Sequence, residues 1–344
     1  MKKHLSLILL LLLGANVSFA QEEVQKPTVI SASYFDVSPP LRDMVQKSDA
    51  IADQSWKEAA AWNKLNTSPN SSNSNDFQGP DPVRQSAFGT LTSDTTIQNF
   101  DGIGSNGPWP PDTDGEAGPL HYLQVVNCRF VVYDKNGTIL LGPSNSNTIF
   151  AGLPNNTNDG DAVVLYDENA DRWLFSQFSL PNYPNGPFYE NVAISQTNDP
   201  TGTWYRYQFS FTDMPDYPKL AVWRDGYYMT IRRFSAGAGN WLGPSAVAMD
   251  RSKMLAGNPT ATTIMFNFPS SSEGPQAADC DSDFPPAGTP CPVAYLTSTS
   301  VMLYDFNVDW TTPANSTFIL GNTIAISPFS NFNYSTYIDQ KGTS

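Results

Sequence analysis

The chain has 344 residues, of which 12% are aromatic and only 15% charged, with 28 Pro, 23 Gly and a formal net charge of −14. Many aromatics and turn formers with few charges suit short strands joined by tight turns, and disfavour a helical architecture. The negative balance argues against recognition of nucleic acid or of an anionic membrane surface, and leaves a glycan or an extracellular protein as the expected partner.

The N-terminus carries Lys2 and Lys3, an apolar run from Leu5 to Leu13, and the small-residue site Ser18-Phe19-Ala20. This pattern predicts a signal peptide over residues 1–20, whose removal takes away two lysines and no acid. No cysteine follows the cleavage point, as a lipoprotein would require, and no later segment approaches the ~20 apolar residues of a membrane span. The expected location is therefore secreted or cell-surface, with no transmembrane segment.

Residues 21–65 form an N-terminal segment. Within it Pro39-Pro40 precede Leu41, Met44, Val45, Ile51, Trp56, Ala59 and Trp62 at roughly helical spacing. The spacing predicts one amphipathic helix over about 41–65. Residues 66–80, NTSPNSSNSNDFQGP, are nearly all small and polar and predict a flexible linker. The main domain is then 81–344.

Within that domain four units alternate apolar runs with Asp/Gly/Pro turns. The first holds HYLQVVNCRFVVYDKNGTILLGP around an Asp134-Lys135-Asn136-Gly137 hairpin turn. The second spans Asp161 to Phe211, the third Tyr217 to Phe268, and the fourth starts near Pro292. Repetition at about 50 residues predicts an all-β fold, a β-propeller of about five four-stranded blades. The final DQKGTS supplies no strand to close a ring, so the propeller is expected to be incomplete at the C-terminus.

Asp112, Asp114 and Glu116 place three carboxylates around a glycine, an oxygen-rich pattern that makes them the candidate Ca²⁺ ligands; the competing reading is an acidic turn. No other cofactor is implied. The run Ser195 to Trp204 resembles the Asp-box of sialidase-type propellers with altered spacing, and a structural turn is its expected role. Asp161, Glu190, Asp216 and Asp225 sit at strand starts or turns of successive units. They are the candidate acid/base carboxylates if the protein is a glycosidase. His121 is the only histidine beyond the predicted leader, which excludes a multi-histidine metal site in this chain. Trp109, Tyr183, Phe188, Tyr189 and Trp241 lie in Pro/Gly/Asn-rich stretches and are the candidate binding aromatics. Cys280 and Cys291 flank a Pro/Gly-rich loop and are the favoured disulfide pair, with Cys128 expected as a buried small residue.

The stretches NFDGIG from Asn99, PPDTDGEAGPLHYLQVVN from Pro110, NDGDAVVLYDENADRWLFSQF from Asn158, NDPTGTWYRYQF from Asn198, YPKLAVWRDGYYMT from Tyr217 and AMDRSKMLAG from Ala248 carry a resemblance. Together with Asp81-Pro82 they resemble a largely uncharacterised family of exported bacterial β-propeller-like proteins. These are often the N-terminal part of longer multidomain chains. The resemblance covers about residues 81–330 and brings no catalytic residues with it. The expected function is a non-catalytic binding module for a glycan or protein partner. The alternatives are a glycoside hydrolase or lyase using paired carboxylates, and a structural module of a larger secreted protein.

Overall fold

A computed structural model describes residues 25–46, 98–104 and 110–329. The predicted signal peptide, the linker, Trp109 and the predicted helix beyond Gln46 lie outside the described residues.

The fold is all-β. Four antiparallel four-stranded meanders follow one another along the chain. The first is β2 (Thr113–Ala117), β3 (His121–Val126), β4 (Arg129–Asp134) and β5 (Ile139–Asn145). The second is β6 (Val163–Asp167), β7 (Arg172–Ser179), β8 (Phe188–Ser195) and β9 (Trp204–Phe211). The third is β10 (Met214–Val222), β11 (Tyr227–Phe234), β12 (Trp241–Met249) and β13 (Thr262–Asn267). The fourth is β14 (Gln276–Ala277), β15 (Cys291–Leu296), β16 (Ser300–Asn307) and β17 (Thr317–Ala325).

The first strand of each meander lies against the first strand of the next: β2 on β6, β6 on β10, β10 on β14. Hydrogen bonds join like ends of these neighbouring strands. Val164 N–H donates to Asp114 Oδ2 (3.0 Å), Tyr217 N–H donates to Asp161 Oδ2 (3.1 Å), and Val222 N–H donates to Asp279 Oδ1. Consecutive meanders with parallel inner strands are the arrangement of propeller blades. The described residues hold four such blades where the repeat length predicts about five.

Faces between blades are filled by the inward residues of each strand. Trp173, Trp204, Phe130, Phe150 and Phe175 pack between the first and second blades. Tyr207, Phe209, Met229, Ile231 and Val247 pack between the second and third. Between the third and fourth, Phe306 meets Tyr228 and Phe266 edge-on, each at 5.3 Å between ring centres. The Ser195 to Trp204 run behaves as a structural turn. Ser195 Oγ accepts from Trp173 N–H and donates to Thr197 O, Asp199 accepts from Thr201, and Trp204 is buried with its Nε1 donating to Pro200 O.

Two inner strands escape the sequence pattern. The TDGEA stretch proposed for calcium is β2, and β14 is only two residues long. These two strands are short and partly exposed, so neither shows the apolar alternation that marks a half-buried strand.

The N-terminal segment departs further from expectation. Thr28–Val37 forms β1, which pairs with β13 through Thr28 to Ser31 and with β9 through Ala32 to Val37. It thereby joins the second and third blades into one nine-stranded sheet. Of the residues predicted to be helical, those described form a single 3-10 turn at Leu41–Asp43 followed by an extended Met44. Leu41 N–H donates to Gly202 O (2.7 Å) and Arg42 N–H to Thr201 O (2.9 Å), so the segment is tied to the turn before β9. Among the described residues the one α-helix is α1 (Arg251–Leu255), with Asp250 accepting from Lys253 N–H at its start.

Two buried ion pairs lock these elements. Arg206, 3% exposed, donates to both oxygens of Asp36 on β1 (2.7 and 2.6 Å) and to the carbonyls of Ile149 and Ala151. Asp167, at the end of β6 and fully buried, accepts twice from Arg251 (2.6 and 2.9 Å) and from Tyr227 OH (2.9 Å).

The expected Cys280–Cys291 disulfide is not formed. All three cysteines are free thiols. Cys291 is buried in the core between the third and fourth blades with its Sγ turned to the Ala278 and Pro292 carbonyls, and Cys280 is anchored through its N–H to Val222 O. Cys128 is buried, as expected.

Removing one partner of a buried pair strands the other charge. D36A, which leaves Arg206 without its carboxylate, is expected to cost about 3 kcal/mol, and D167N a comparable amount. Urea unfolding midpoints of the two variants check this; losses no larger than those of surface substitutions would show that neither pair matters.

Candidate functional site

Parallel inner strands give the molecule two distinct ends. At the exit end of the inner strands lie the hairpin turns, and aspartates anchor them. Asp134 accepts from the amides of Asn136 and Thr138, Asp167 from Ala170, Asp199 from Thr201, and Asp309 from Thr311 and Thr312. These Asx turns hold Asp134 and Asp309 below the usual carboxylate range through their backbone hydrogen bonds. Such turns explain most of the acid content near strand ends without catalysis.

At the entry end lie the connections 146–162, 180–187, 235–240 and 268–275. Here the structure gathers several of the predicted residues. Asp161, in the left-handed region at φ 51°, accepts from Tyr217 N–H, so Asp216 and Tyr217 of β10 sit beside it. Tyr183, from the β7–β8 loop, is 38% exposed; burial of its hydroxyl and the nearby Asp216 both raise its pKa.

Tyr217 is the hub. Its ring is 42% exposed, with Lys219 Nζ 4.0 Å from the ring centre and the Arg232 guanidinium 5.8 Å away. Arg232 also lies 5.9 Å from the Trp241 ring, whose Nε1 donates to Ser270 O (2.7 Å). A cavity of about 390 Å³ opens here between the third and fourth blades. Tyr217, Lys219, Thr230, Arg232, Glu273 and Gln276 line it. Its size falls within the range of small-molecule sites.

Other predicted site residues lie elsewhere. Phe188 is 1% exposed, packed with Phe178, Leu180 and Met214, and is a core residue rather than a binding aromatic. The first residue of β8 points between blades, which its Pro/Gly-rich flank conceals. Tyr189 beside it is half-buried. Asp225 is at the exit end in the β10–β11 turn, accepting from Tyr228 OH (3.0 Å), with burial raising its pKa. It stands roughly 20 Å along β10 from Asp216, too far to share a glycosidic bond with it.

Glu190 is fully buried on the face of the second blade toward the third, and neither carboxylate oxygen has a hydrogen bond of good geometry. Burial raises its pKa well above the ordinary 4.5; the facing Ser176 hydroxyl offsets part of this, and Asp161 adds to it. The three calcium candidates are already engaged by protein donors. Asp112 accepts from Asn127 Nδ2, Asp114 from Val164 N–H, and Glu116 from Ala117 N–H. Among the described residues no three His, Cys, Asp or Glu side chains are arranged to hold a metal ion. Glu116 faces the far side of the ring: burial, then Asp281, Asp114 and Asp279, raise its pKa against the opposing Ala117 hydrogen bond.

Lys219, Arg232, Glu273 and Tyr217 went unnoticed in the sequence. The signal was available in Arg232-Arg233, since adjacent strand residues point to opposite faces. Arg233 pairs with Asp213 (2.8 Å), so Arg232 is left for the other face.

No family model matches the chain, and no curated protein matches it. Among solved structures, an exo-1,5-α-L-arabinanase from a bovine ruminal metagenomic library is similar at 10% identity. The match covers 64% of this chain and 79% of that one, with a TM-score of 0.31. So loose a likeness says nothing about the chemistry of this chain. Among the described residues no helix is long and apolar enough to cross a membrane.

The buried Glu190 makes stability depend on pH. Its folded pKa is raised above the unfolded value, so its stabilising effect is full below about 4.5 and is lost as pH rises toward the folded pKa. Wild type is expected to lose up to about 1.4 kcal/mol per pH unit in that window relative to E190Q. Urea melts of both proteins between pH 4.5 and 8 test this; parallel stability curves would rule it out.

Proposed function

We propose that this chain is a secreted or cell-surface propeller module that binds a glycan at the entry end of its inner strands, without cleaving it. The observation that carries this reading is the cavity beside Tyr217. An exposed aromatic ring and polar side chains from Thr230, Glu273 and Gln276 line it, and the Trp241 ring lies 5.9 Å from Arg232 on its wall. Sugar rings offer an apolar C–H face and a rim of hydroxyls, and an aromatic face flanked by hydrogen-bonding groups complements both. The extracellular setting is taken from the predicted leader and from the resemblance to exported propeller-like proteins.

Catalysis by paired carboxylates has weaker support. Of the four candidates, Glu190 has no accessible surface and Asp225 lies at the opposite end of β10. Asp161 and Asp216 remain near the cavity, where Asp161 holds the Tyr217 backbone.

Titration calorimetry with a panel of neutral and charged oligosaccharides tests the proposal. Binding is expected, with Y217A and W241A each weakening it at least about tenfold, the loss typical of a central aromatic contact. E168Q, an exposed change in the β6–β7 turn at the other end, is expected to leave affinity unchanged. Absence of binding to every glycan would favour a purely structural module, and release of reducing ends during incubation would overturn the non-catalytic reading.

A further inference from the structure

We infer that the sugar accepted by this cavity is anionic, its carboxylate or sulfate seated between Arg232 and Lys219; this rests on the glycan reading and specifies its ligand. The chain as a whole is strongly acidic, with 19 Lys and Arg against 33 Asp and Glu. Its described cations are mostly spent on internal acceptors. Arg42, Arg206, Arg233 and Arg251 each pair with an aspartate, Arg172 and Arg224 donate to carbonyls, Lys135 donates to Gly118 O, and Lys253 pairs with Asp250.

Lys219 and Arg232 differ. Neither makes an ion pair or a hydrogen bond among the described residues, and both line the same cavity. They are held by aromatic faces instead, Lys219 over Tyr217 and Arg232 between Tyr217 and Trp241. A cation over a ring satisfies charge without using any N–H donor. The guanidinium fork and the ammonium therefore remain available for oxygen acceptors, and the guanidinium geometry matches a planar carboxylate.

The strand pattern places the two cations together. Lys219 pairs with Thr230 and Arg232 follows Thr230 by two, so all three project from one face of the β10–β11 pair. The β-bulge between Asp216 and Lys219, with Tyr217 at φ 52°, swings the tyrosine ring out between them. Asp216, opposite Arg232 in the ladder, and Glu273 on the cavity wall set the acidic background. That background favours a ligand bearing one anionic group and several hydroxyls over a polyphosphate or a free dianion.

The test is affinity of the full chain for three matched probes: a galacturonic acid tetrasaccharide, its carboxyl-reduced neutral counterpart, and an O-sulfated neutral tetrasaccharide. An anionic probe is expected to bind at least about tenfold more tightly than the neutral one, with the preference shrinking as salt rises. R232Q and K219Q are each expected to reduce the preference about fivefold, R232K to restore part of it, and the double variant to abolish it. Unchanged urea midpoints for these surface variants confirm that folding is not the cause. The carboxylated and sulfated arms identify which anion is preferred. Equal affinity for charged and neutral probes, unaffected by R232Q, would overturn this inference and leave the glycan reading standing. Failure of all three probes and of the wider panel would overturn both.

Discussion

The pairing of β1 with two blades at once is the constraint on which the rest of the fold depends. A four-stranded meander leaves its outermost strand with one unpaired edge, and β9 and β13 are two such edges. Thr28 to Ser31 closes one and Ala32 to Val37 closes the other. The Asp36 carboxylate then neutralises Arg206, which also donates to the Ile149 and Ala151 carbonyls of the loop leading to β6. Strand edge, buried charge and inter-blade loop are thus fixed by one ten-residue segment. Asp167, held by Arg251 and Tyr227, performs the same joining of the second and third blades from the axis side.

Because the blades are held in register, the two ends of the inner strands acquire different chemistry. At the exit end four turns, at Asp134, Asp167, Asp199 and Asp309, are closed by an aspartate that accepts backbone amides, so those acids are committed to structure. At the entry end the rings of Tyr183 and Tyr217 are exposed, with the cations Lys219 and Arg232 beside Tyr217. Tyr217 owes its position to a bulge in β10 and to the hydrogen bond from its amide to Asp161. Asp161, a residue considered for acid/base chemistry, therefore holds the backbone of the cavity wall. Bulges re-aim side chains where a regular strand could not, and the cavity beside Tyr217 is built in that way.

Much of the blade pattern was legible in the sequence. The runs HYLQVVNCRFVVY and YYMTIRRF are dense in apolar and aromatic residues, and their bounds match strands β3, β4 and β11 closely. Local chemistry suffices there, since alternation and turn preference act over two to five residues. The Ser195 to Trp204 turn was legible for the same reason. Of the helix expected over about 41–65 only the first residues are described, and there a 3-10 turn at Leu41–Asp43 leads into an extended Met44. The Leu41 and Arg42 amides bond to Gly202 and Thr201, about 160 residues away in the chain.

By itself, then, the sequence determined an all-β chain of repeating four-stranded units with aspartate-anchored turns, because each of those features is written in neighbouring residues. Only the tertiary structure decided that residues 28–37 join two blades, that Phe188 and Glu190 are buried while Tyr217 is exposed, and that Lys219, Arg232 and Trp241 meet. Those outcomes turn on strand register and on which face of a sheet meets which neighbour. A one-residue change in register exchanges the two faces, and no local pattern in this chain records the pairing that fixes it.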